Sequence, residues 1–186
     1  MGGRGASSGL RSLKINNLFG PNGGAIGKIQ QLDPNEFRKE MKKGDQSSGL
    51  EAFERLHKNS NIEYGVSIGQ NGKVYEYNKG TKSSVGFMKD NVGGKVLVMH
   101  NHPSGLGIPS VKDLETMDSW KQVKTSAIFG KNVSSIITKT QSNKTGNMSN
   151  MISEYSKAMN KGASRNQLIG ILKTYQTQGK YKIDIK

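Results

Sequence analysis

The sequence predicts a single α/β domain, in which a mixed β-sheet is flanked by helices. Its 186 residues are enough for one domain with a packed core and too few for two such domains. Only 32% of the residues are hydrophobic and 24 are glycine, so the core must be concentrated in part of the chain. In that part, short β-prone segments and helical segments follow one another, which indicates a mixed fold.

The N-terminal part of the chain is predicted to be a flexible basic arm followed by helices. Residues 1–32 contain eight glycines, four basic residues and no acidic residue, without helical or strand periodicity. A helix running to residue 44 is predicted next, with Asp33 as its N-cap and Glu36 closing a capping box. A second helix is predicted over residues 50–58, where apolar side chains fall on one face and the packed domain begins.

The strands of the predicted sheet lie in the middle of the chain. Residues 62–68 and 74–77 flank Asn71-Gly72, and Asn-Gly between β-prone segments is the strongest short-range hairpin signal. The strand predicted over residues 83–87 would extend this antiparallel sheet. Further strands are predicted over residues 95–99, 125–129 and 133–138.

The C-terminal part is predicted to be a basic helical appendage. A polar linker over residues 141–146 precedes two predicted helices, over residues 148–160 and 164–178. Residues 144–186 hold eight basic and two acidic residues. The chain is therefore predicted to consist of an arm with a short helix (1–45), a central domain (46–140) and the appendage (141–186).

The charge of the chain and its lack of cysteine restrict its chemistry. The 28 basic and 14 acidic residues give a net charge of +14, which favours contact with nucleic acid, an anionic membrane surface or an acidic protein. The alternative is that the charge contributes only to solubility. The absence of cysteine excludes disulfides, thiolate zinc sites and cysteine nucleophiles, so any metal must be held by histidine and carboxylate. No apolar run has the length of a signal peptide or a membrane span, and we expect a cytoplasmic protein.

One motif carries the clearest chemistry: His100-x-His102, ten residues, then Asp113. In an extended segment, residues i and i+2 point to the same side, so both imidazoles can face one metal ion. Ser110 is predicted to begin a helix through residue 123, whose first turn would bring the carboxylate to the third position. Three such ligands with one open position are typical of a catalytic zinc ion, one per chain. Two alternatives are that Ser110 and Asp113 form only a capping box and that H-x-H before proline is an exposed turn.

The whole string closely resembles the JAMM motif of the JAB/MPN-plus metallopeptidases, which is a distant Glu, H-x-H, ten residues and D, with a serine three residues before the Asp. H-N-H-P-S-G followed by P-S-x-x-D is also similar to the C-terminal domain of the bacterial RadC proteins and to JAB-like domains of phages and bacteria. The resemblance covers about residues 60–140. It implies a JAMM-type, cytidine-deaminase-like core and zinc-dependent hydrolysis of an amide bond in a protein or peptide substrate. By this resemblance, zinc would be bound by His100, His102 and Asp113.

The same resemblance implies two further working residues. Ser110 would hydrogen-bond the developing oxyanion, and a glutamate would take a proton from the zinc-activated water and pass it to the leaving amine. Glu63 opens the first hairpin strand, where the family's glutamate lies, whereas Glu76 sits between two tyrosines in the second strand. We favour Glu63, because the end of a strand suits a catalytic group. Glu76 is predicted to face solvent.

Two other functions are compatible with the sequence. The RadC similarity and the charge of +14 allow a nucleic-acid-associated role, with contacts through the basic arm and the C-terminal helices. The glycine-rich opening GGRGASSG resembles stretches in phage head-associated proteins, which allows a structural or effector component of a phage or mobile element. The third histidine, His57, matches no metal-binding spacing, and Trp120 is predicted to be a core residue of its helix.

Overall fold

The computed structural model describes residues 29–87, 96–140, 148–176, 179 and 181–186. Within these residues, seven strands form one mixed sheet and five helices pack against it. The predicted α/β class, with a mixed sheet flanked by helices, is thereby confirmed. In chain order the elements are β1 (Gln30–Leu32), α1 (Pro34–Glu40), α2 (Gln46–His57), β2 (Tyr64–Ile68), β3 (Val74–Lys79), β4 (Leu97–Asn101), α3 (Val111–Ser119), β5 (Thr125–Phe129), β6 (Ser134–Lys139), α4 (Ser149–Asn160), α5 (Arg165–Gln176) and β7 (Tyr181–Ile185).

The strands lie in the order β1-β3-β2-β4-β5-β6-β7. Only β4 and β5 are parallel, and every other neighbouring pair is antiparallel. A parallel pair needs a crossover connection, and here α3 provides it. The chain therefore leaves the C-terminal end of β4 and enters α3 through a loop, and the H-N-H-P-S-G stretch spans the end of β4 and the start of this loop.

Each face of the sheet is covered by its own helices. Successive strand residues point to opposite faces and therefore pack in different clusters. Met99 faces α1 and α2 and packs in a cluster with Phe37 and Phe53. Its neighbour Val98 faces the other way and packs in a cluster with Leu114 of α3 and residues of α4 and α5. The two faces of β4 are thus both buried, which fixes the direction in which each side chain at its end must point.

Both edge strands were missed by the sequence analysis. Gln30–Leu32, which falls in the predicted flexible arm, forms β1 and pairs with β3, while residues 1–28 lie outside the described residues. The predicted helical appendage also contributes a strand, β7, which pairs with β6 and buries Tyr181 and Ile183 against α4 and α5. The two predicted C-terminal helices are confirmed as α4 and α5, and the predicted linker over residues 141–146 lies outside the described residues.

The strand predicted over residues 83–87 does not form. The Thr81 N–H donates to the Ser84 carbonyl at 2.8 Å and turns the chain, and a Cβ on Gly80 would lie 2.0 Å from the same oxygen. The carbonyl of Gly86 accepts from the side chain of Asn78 at 2.8 Å. Residues 83–87 are therefore held by a side-chain amide, and not by the backbone pairing that the predicted strand would make.

The ends of the predicted helices also shift. α1 ends at Glu40, and its N-cap Asp33 accepts from the Asn35 N–H at 2.9 Å without a reciprocal bond from Glu36, so the predicted capping box is wrong. α3 ends at Ser119, four residues early, where the Trp120 carbonyl accepts from the buried Lys139 ammonium at 2.9 Å. Every helix in the described ranges is too short or too polar to cross a bilayer.

Candidate metal centre

The two histidines of the H-x-H motif converge at the end of β4. His100 is the penultimate residue of this strand and His102 follows its last residue, so both side chains project to the same side of extended backbone. Their Nε2 atoms lie 3.0 Å apart. The backbone N–H of His102 donates to the Phe129 carbonyl at 2.7 Å, which continues the pairing of β4 with β5 past the end of β4. A fixed backbone therefore holds both imidazoles.

The carboxylate of Asp113 joins them from the first turn of α3. The capping box is present, since the Asp113 N–H donates to Ser110 Oγ at 3.2 Å and the Ser110 N–H donates to Asp113 Oδ2 at 2.7 Å. Capping leaves the carboxylate within reach of both rings. Oδ1 lies 3.2 Å from His100 Nε2, and Oδ2 lies 3.4 Å from His102 Nε2. The two interpretations of Ser110 and Asp113, cap and metal site, are thus compatible.

The three side chains could hold a metal ion. The three nearest atom pairs of the group are 3.0, 3.2 and 3.4 Å apart. In a tetrahedral site with ligand bonds of about 2.0–2.1 Å, neighbouring ligand atoms are about 3.3 Å apart. The Nε2–Nε2 distance is close to this value, whereas the two carboxylate distances run to different oxygens of Asp113. With one donor atom from each residue, all three lie within 4.8 Å of one another, which is compatible with a bound metal ion.

A second hydrogen bond orients the ring of His102. Its Nδ1 lies 2.8 Å from the Leu106 carbonyl, and because a carbonyl only accepts, this nitrogen carries the hydrogen. In the neutral ring, Nε2 then presents its lone pair to the group. The loop that carries Leu106 packs tightly on the β5–β6 turn, since a Cβ on Gly107 would lie 1.7 Å from the Val133 carbonyl oxygen.

The electrostatics of the group favour an ionised carboxylate. Burial alone would raise the pKa of Asp113, but charge interactions and hydrogen bonds with His100 and His102 outweigh it and hold that pKa well below its ordinary value. Burial would lower the pKa of His102, and the hydrogen bond to Asp113 instead raises it. A metal ion requires the deprotonated forms of all three side chains, and Asp113 already has the required form.

Glu63 faces the same cleft as the three candidate ligands. It lies immediately before β2, is buried, and lines the cleft together with His100 and Asp113. Burial raises the pKa of its carboxyl group, against the opposing effects of both imidazoles and of a hydrogen bond from the Val85 backbone. A raised pKa suits a group that takes up and releases a proton near neutrality.

Glu76 lies elsewhere, and the prediction that it faces solvent is wrong. Its side chain is fully buried and accepts from Ser67 Oγ at 3.1 Å. The physical reason is the face of β3 to which it belongs, since Val74, Glu76 and Asn78 alternate along the strand and are all buried. Glu76 is absent from the lining of the cleft that contains Glu63.

The cleft lies between the segment 83–87 and α3. Ser110, Lys112 and Trp120 line it on the helix side, and Phe87 lines it on the other. Trp120 was predicted to be a core residue of its helix, but it follows the last residue of α3 and is only half-buried at the cleft. The candidate metal group therefore opens onto a surface that combines hydroxyl, cationic and aromatic groups.

His57 has a purely structural environment, separate from the metal group. Its ring stacks on Tyr64, with centroids 4.1 Å apart, and its Nε2 lies 3.0 Å from the Tyr77 hydroxyl. Burial lowers its pKa to about 4. Among the described residues, the candidate metal group consists of His100, His102 and Asp113, and His57 lies outside it.

Two residues around the site were not singled out from the sequence. The Leu106 carbonyl orients His102, and no sequence signal marks a backbone acceptor. The fully buried side chain of Asn101 contacts the backbone on both sides of Glu63. For Asn101, the signal in the sequence was a polar residue at the end of a largely apolar predicted strand.

The fold and the site define an α/β protein with a candidate His-His-Asp metal centre at the end of a central strand. Comparisons with known protein families, with curated proteins and with solved structures found no match to this chain. The chemistry of the site must therefore be inferred from its own residues.

Proposed function

We propose that the protein is a zinc-dependent hydrolase of amide bonds, a peptidase or an isopeptidase. One observation carries the proposal: His100, His102 and Asp113 each offer one donor atom, these atoms lie within 4.8 Å of one another, and they face a cleft that also contains Glu63. Two imidazole nitrogens and one carboxylate oxygen suit zinc, and a set of three protein ligands leaves a position for water or substrate. A neighbouring carboxylate outside the ligand set is what a hydrolytic site additionally requires.

Each residue of the site has a defined part in this reaction. When bound by the three ligands, zinc would supply a polarised substrate carbonyl and a water whose pKa lies near neutrality. Glu63 would accept a proton from the attacking water and deliver it to the leaving nitrogen, so that the C–N bond breaks and a carboxylic acid and an amine result. Ser110 Oγ accepts from the Asp113 N–H, and its own hydrogen remains to donate to the oxygen that gains negative charge.

The resemblance to the JAMM metallopeptidases supports the same assignment. The lining of the cleft includes His100, His102, Ser110 and Asp113 of the JAMM-like string together with Glu63. We therefore extend the proposal to a JAMM-type core. The mixed sheet, with its parallel β4–β5 pair joined by α3, is compatible with it.

The test uses the full chain loaded with zinc and a library of peptides with blocked termini. Cleavage is followed by mass spectrometry, and a second library contains glycine linked to the lysine ε-amine to detect isopeptidase activity. We expect cleavage in one library that a chelator abolishes and zinc restores. A zinc-loaded protein that leaves both libraries intact would count against the proposal.

A nucleic-acid-associated role is a second candidate, favoured by the net charge of +14. One exposed lysine, Lys112, lines the cleft, and a second, Lys131, lies next to Gly105 at the end of the H-N-H-P-S-G stretch. If phosphates are bound, affinity for a DNA fragment falls steeply between about 50 and 200 mM salt, because counterions are released on binding. Weak binding with a flat salt response would exclude this candidate.

A further inference from the structure

Asn101, the residue between the two histidines, makes a pair of hydrogen bonds to the chain around Glu63. Its Oδ1 accepts from the Tyr64 N–H at 2.7 Å, and its Nδ2 donates to the Ile62 carbonyl at 3.0 Å. The side chain is fully buried. One donor and one acceptor are each matched by the complementary backbone group, so the orientation of the amide is fixed by its partners.

These two bonds stand where the next backbone hydrogen bonds between β2 and β4 would lie if the pairing of the strands continued. Gly65 and His100 are the last paired residues of β2 and β4. The backbone pairing of the two strands ends there, and the amide of Asn101 presents to the chain around Glu63 the same groups that a peptide unit would present. The two bonded residues, Ile62 and Tyr64, are the immediate neighbours of Glu63.

The backbone of Glu63 is held from the opposite side as well. Its N–H donates to the Thr81 carbonyl at 2.7 Å, and its carbonyl accepts from the Gly80 N–H at 2.8 Å. Hydrogen bonds from the turn after β3 and from the side chain of Asn101 therefore hold the backbone around Glu63 from both sides. Of these two sets of bonds, only those of Asn101 come from the H-x-H segment, so they link the position of Glu63 to that of the two histidines.

We propose that Asn101 is a positioning residue, which sets Glu63 at the correct place relative to the metal ligands through the backbone of Ile62 and Tyr64. The proposal rests on the proposed function, in which Glu63 transfers the proton. Asparagine suits the position because aspartate would lose the donor, serine would be too short and glutamine would be longer by one methylene. An error of about 1 Å in the placement of a catalytic group can cost about 100-fold in rate.

The first experiment needs no catalysis. Hydrogen exchange of the Tyr64 amide is measured by NMR in the metal-free full chain and in its Asn101→Asp and Asn101→Ala variants. We expect exchange at Tyr64 to accelerate about tenfold in Asn101→Ala, which removes the acceptor of this N–H, while the amide of Ala127 in β5 is unchanged. Asn101→Asp keeps that acceptor and loses only the donor to the Ile62 carbonyl, so its Tyr64 amide should exchange more slowly than that of Asn101→Ala. An unchanged Tyr64 amide in Asn101→Ala would overturn the proposal. This result is independent of whether any peptide is hydrolysed.

The second experiment separates positioning from general stability. Zinc affinity is measured by titration, and hydrolysis is measured on a peptide from the library that the unmodified chain cleaves. We expect Asn101→Asp to bind zinc normally, to lose about 100-fold in kcat, and to cause no further loss in a Glu63→Gln background. The control is Thr138→Val, which removes the Thr125–Thr138 contact in the same sheet outside the cleft and should keep full activity. Full activity of Asn101→Asp, or an additive loss with Glu63→Gln, would contradict the proposal.

Discussion

The Nε2 atoms of His100 and His102 lie 3.0 Å apart, and the Nδ1 of His102 is bonded to the Leu106 carbonyl at 2.8 Å. Each Nε2 also lies within 3.4 Å of an oxygen of Asp113, so the two rings and the carboxylate face one another. A metal ion could accept lone pairs from all three side chains, which would account for their convergence.

Glu63→Gln is expected to separate metal binding from hydrolysis. The change keeps the shape of the side chain and removes its ability to accept and release a proton, so kcat should fall about 10²- to 10⁴-fold. Zinc content should be unchanged, because Glu63 lies outside the ligand group. Both quantities are measured on the same preparation.

Glu76→Gln is the matched control for that variant. It makes the same change at the other candidate glutamate, which is also buried but does not line the cleft. Its rate should stay within a few-fold of the unmodified chain. Equal losses in the two variants, or full activity of Glu63→Gln, would contradict the role of Glu63.

Gly107→Ala should weaken zinc binding without touching a ligand. The added Cβ would lie 1.7 Å from the Val133 carbonyl oxygen, so the loop must shift and carry the Leu106 carbonyl away from His102. Loss of such an outer partner is expected to lower metal affinity about 10- to 100-fold, measured by calorimetric titration of zinc.

The control for the loop is Gly170→Ala. Gly170 is exposed in α5 and a Cβ there meets nothing within 4 Å, so this variant should stabilise the fold by about 0.5–1 kcal/mol and keep its zinc affinity. Urea unfolding checks the first expectation. A folded Gly107→Ala protein with unchanged zinc affinity would show that the Leu106 contact does not matter.

His57 should make the stability of the fold depend on pH. Its folded pKa of about 4 lies below the ordinary histidine pKa of 6.5, so the unfolded chain binds a proton first as pH falls. The stabilisation is complete above about pH 6.5 and is lost progressively as pH falls towards about 4. At about pH 5 the loss amounts to about 2 kcal/mol.

The measurement is urea unfolding with a chelator present at about pH 7.5 and pH 5, for the unmodified chain and for His57→Phe. Phenylalanine keeps an aromatic ring between Phe53 and Tyr64 and removes the titrating group. The variant should lose less stability than the unmodified chain between the two pH values. The same pH dependence in both proteins would mean that His57 does not titrate as its burial implies.

Much of the fold could be predicted because its central elements have strong local signals. The Asn71-Gly72 turn predicts the β2–β3 hairpin, and the bounds predicted for residues 125–129 match β5. The edge strands carried weaker signals. Tyr181 and Ile183 alternate with exposed residues in β7, but five residues after a glycine are too few to distinguish a strand from a helix end without its partner β6.

The candidate site was predictable only where its residues are close in sequence. H-x-H and the first turn of α3 bring their side chains together through local geometry. The contacts of Asn101 join residues 37 and 39 positions away, and the buried carboxylate of Glu76 is bonded to Ser67 on the neighbouring strand β2. Such relationships follow from which strands become neighbours, and one sequence without its tertiary pairing does not contain that information in readable form.

The central claim is that His100, His102 and Asp113 bind zinc, and metal analysis of the purified full chain tests it most directly. The unmodified chain is compared with the His100→Ala/His102→Ala double variant, with His57→Phe as a control that alters a histidine outside the group. We expect about one zinc ion per chain in the unmodified and control proteins and none in the double variant. Absence of zinc from the unmodified chain after incubation with the metal, or equal zinc in the double variant, would contradict the account.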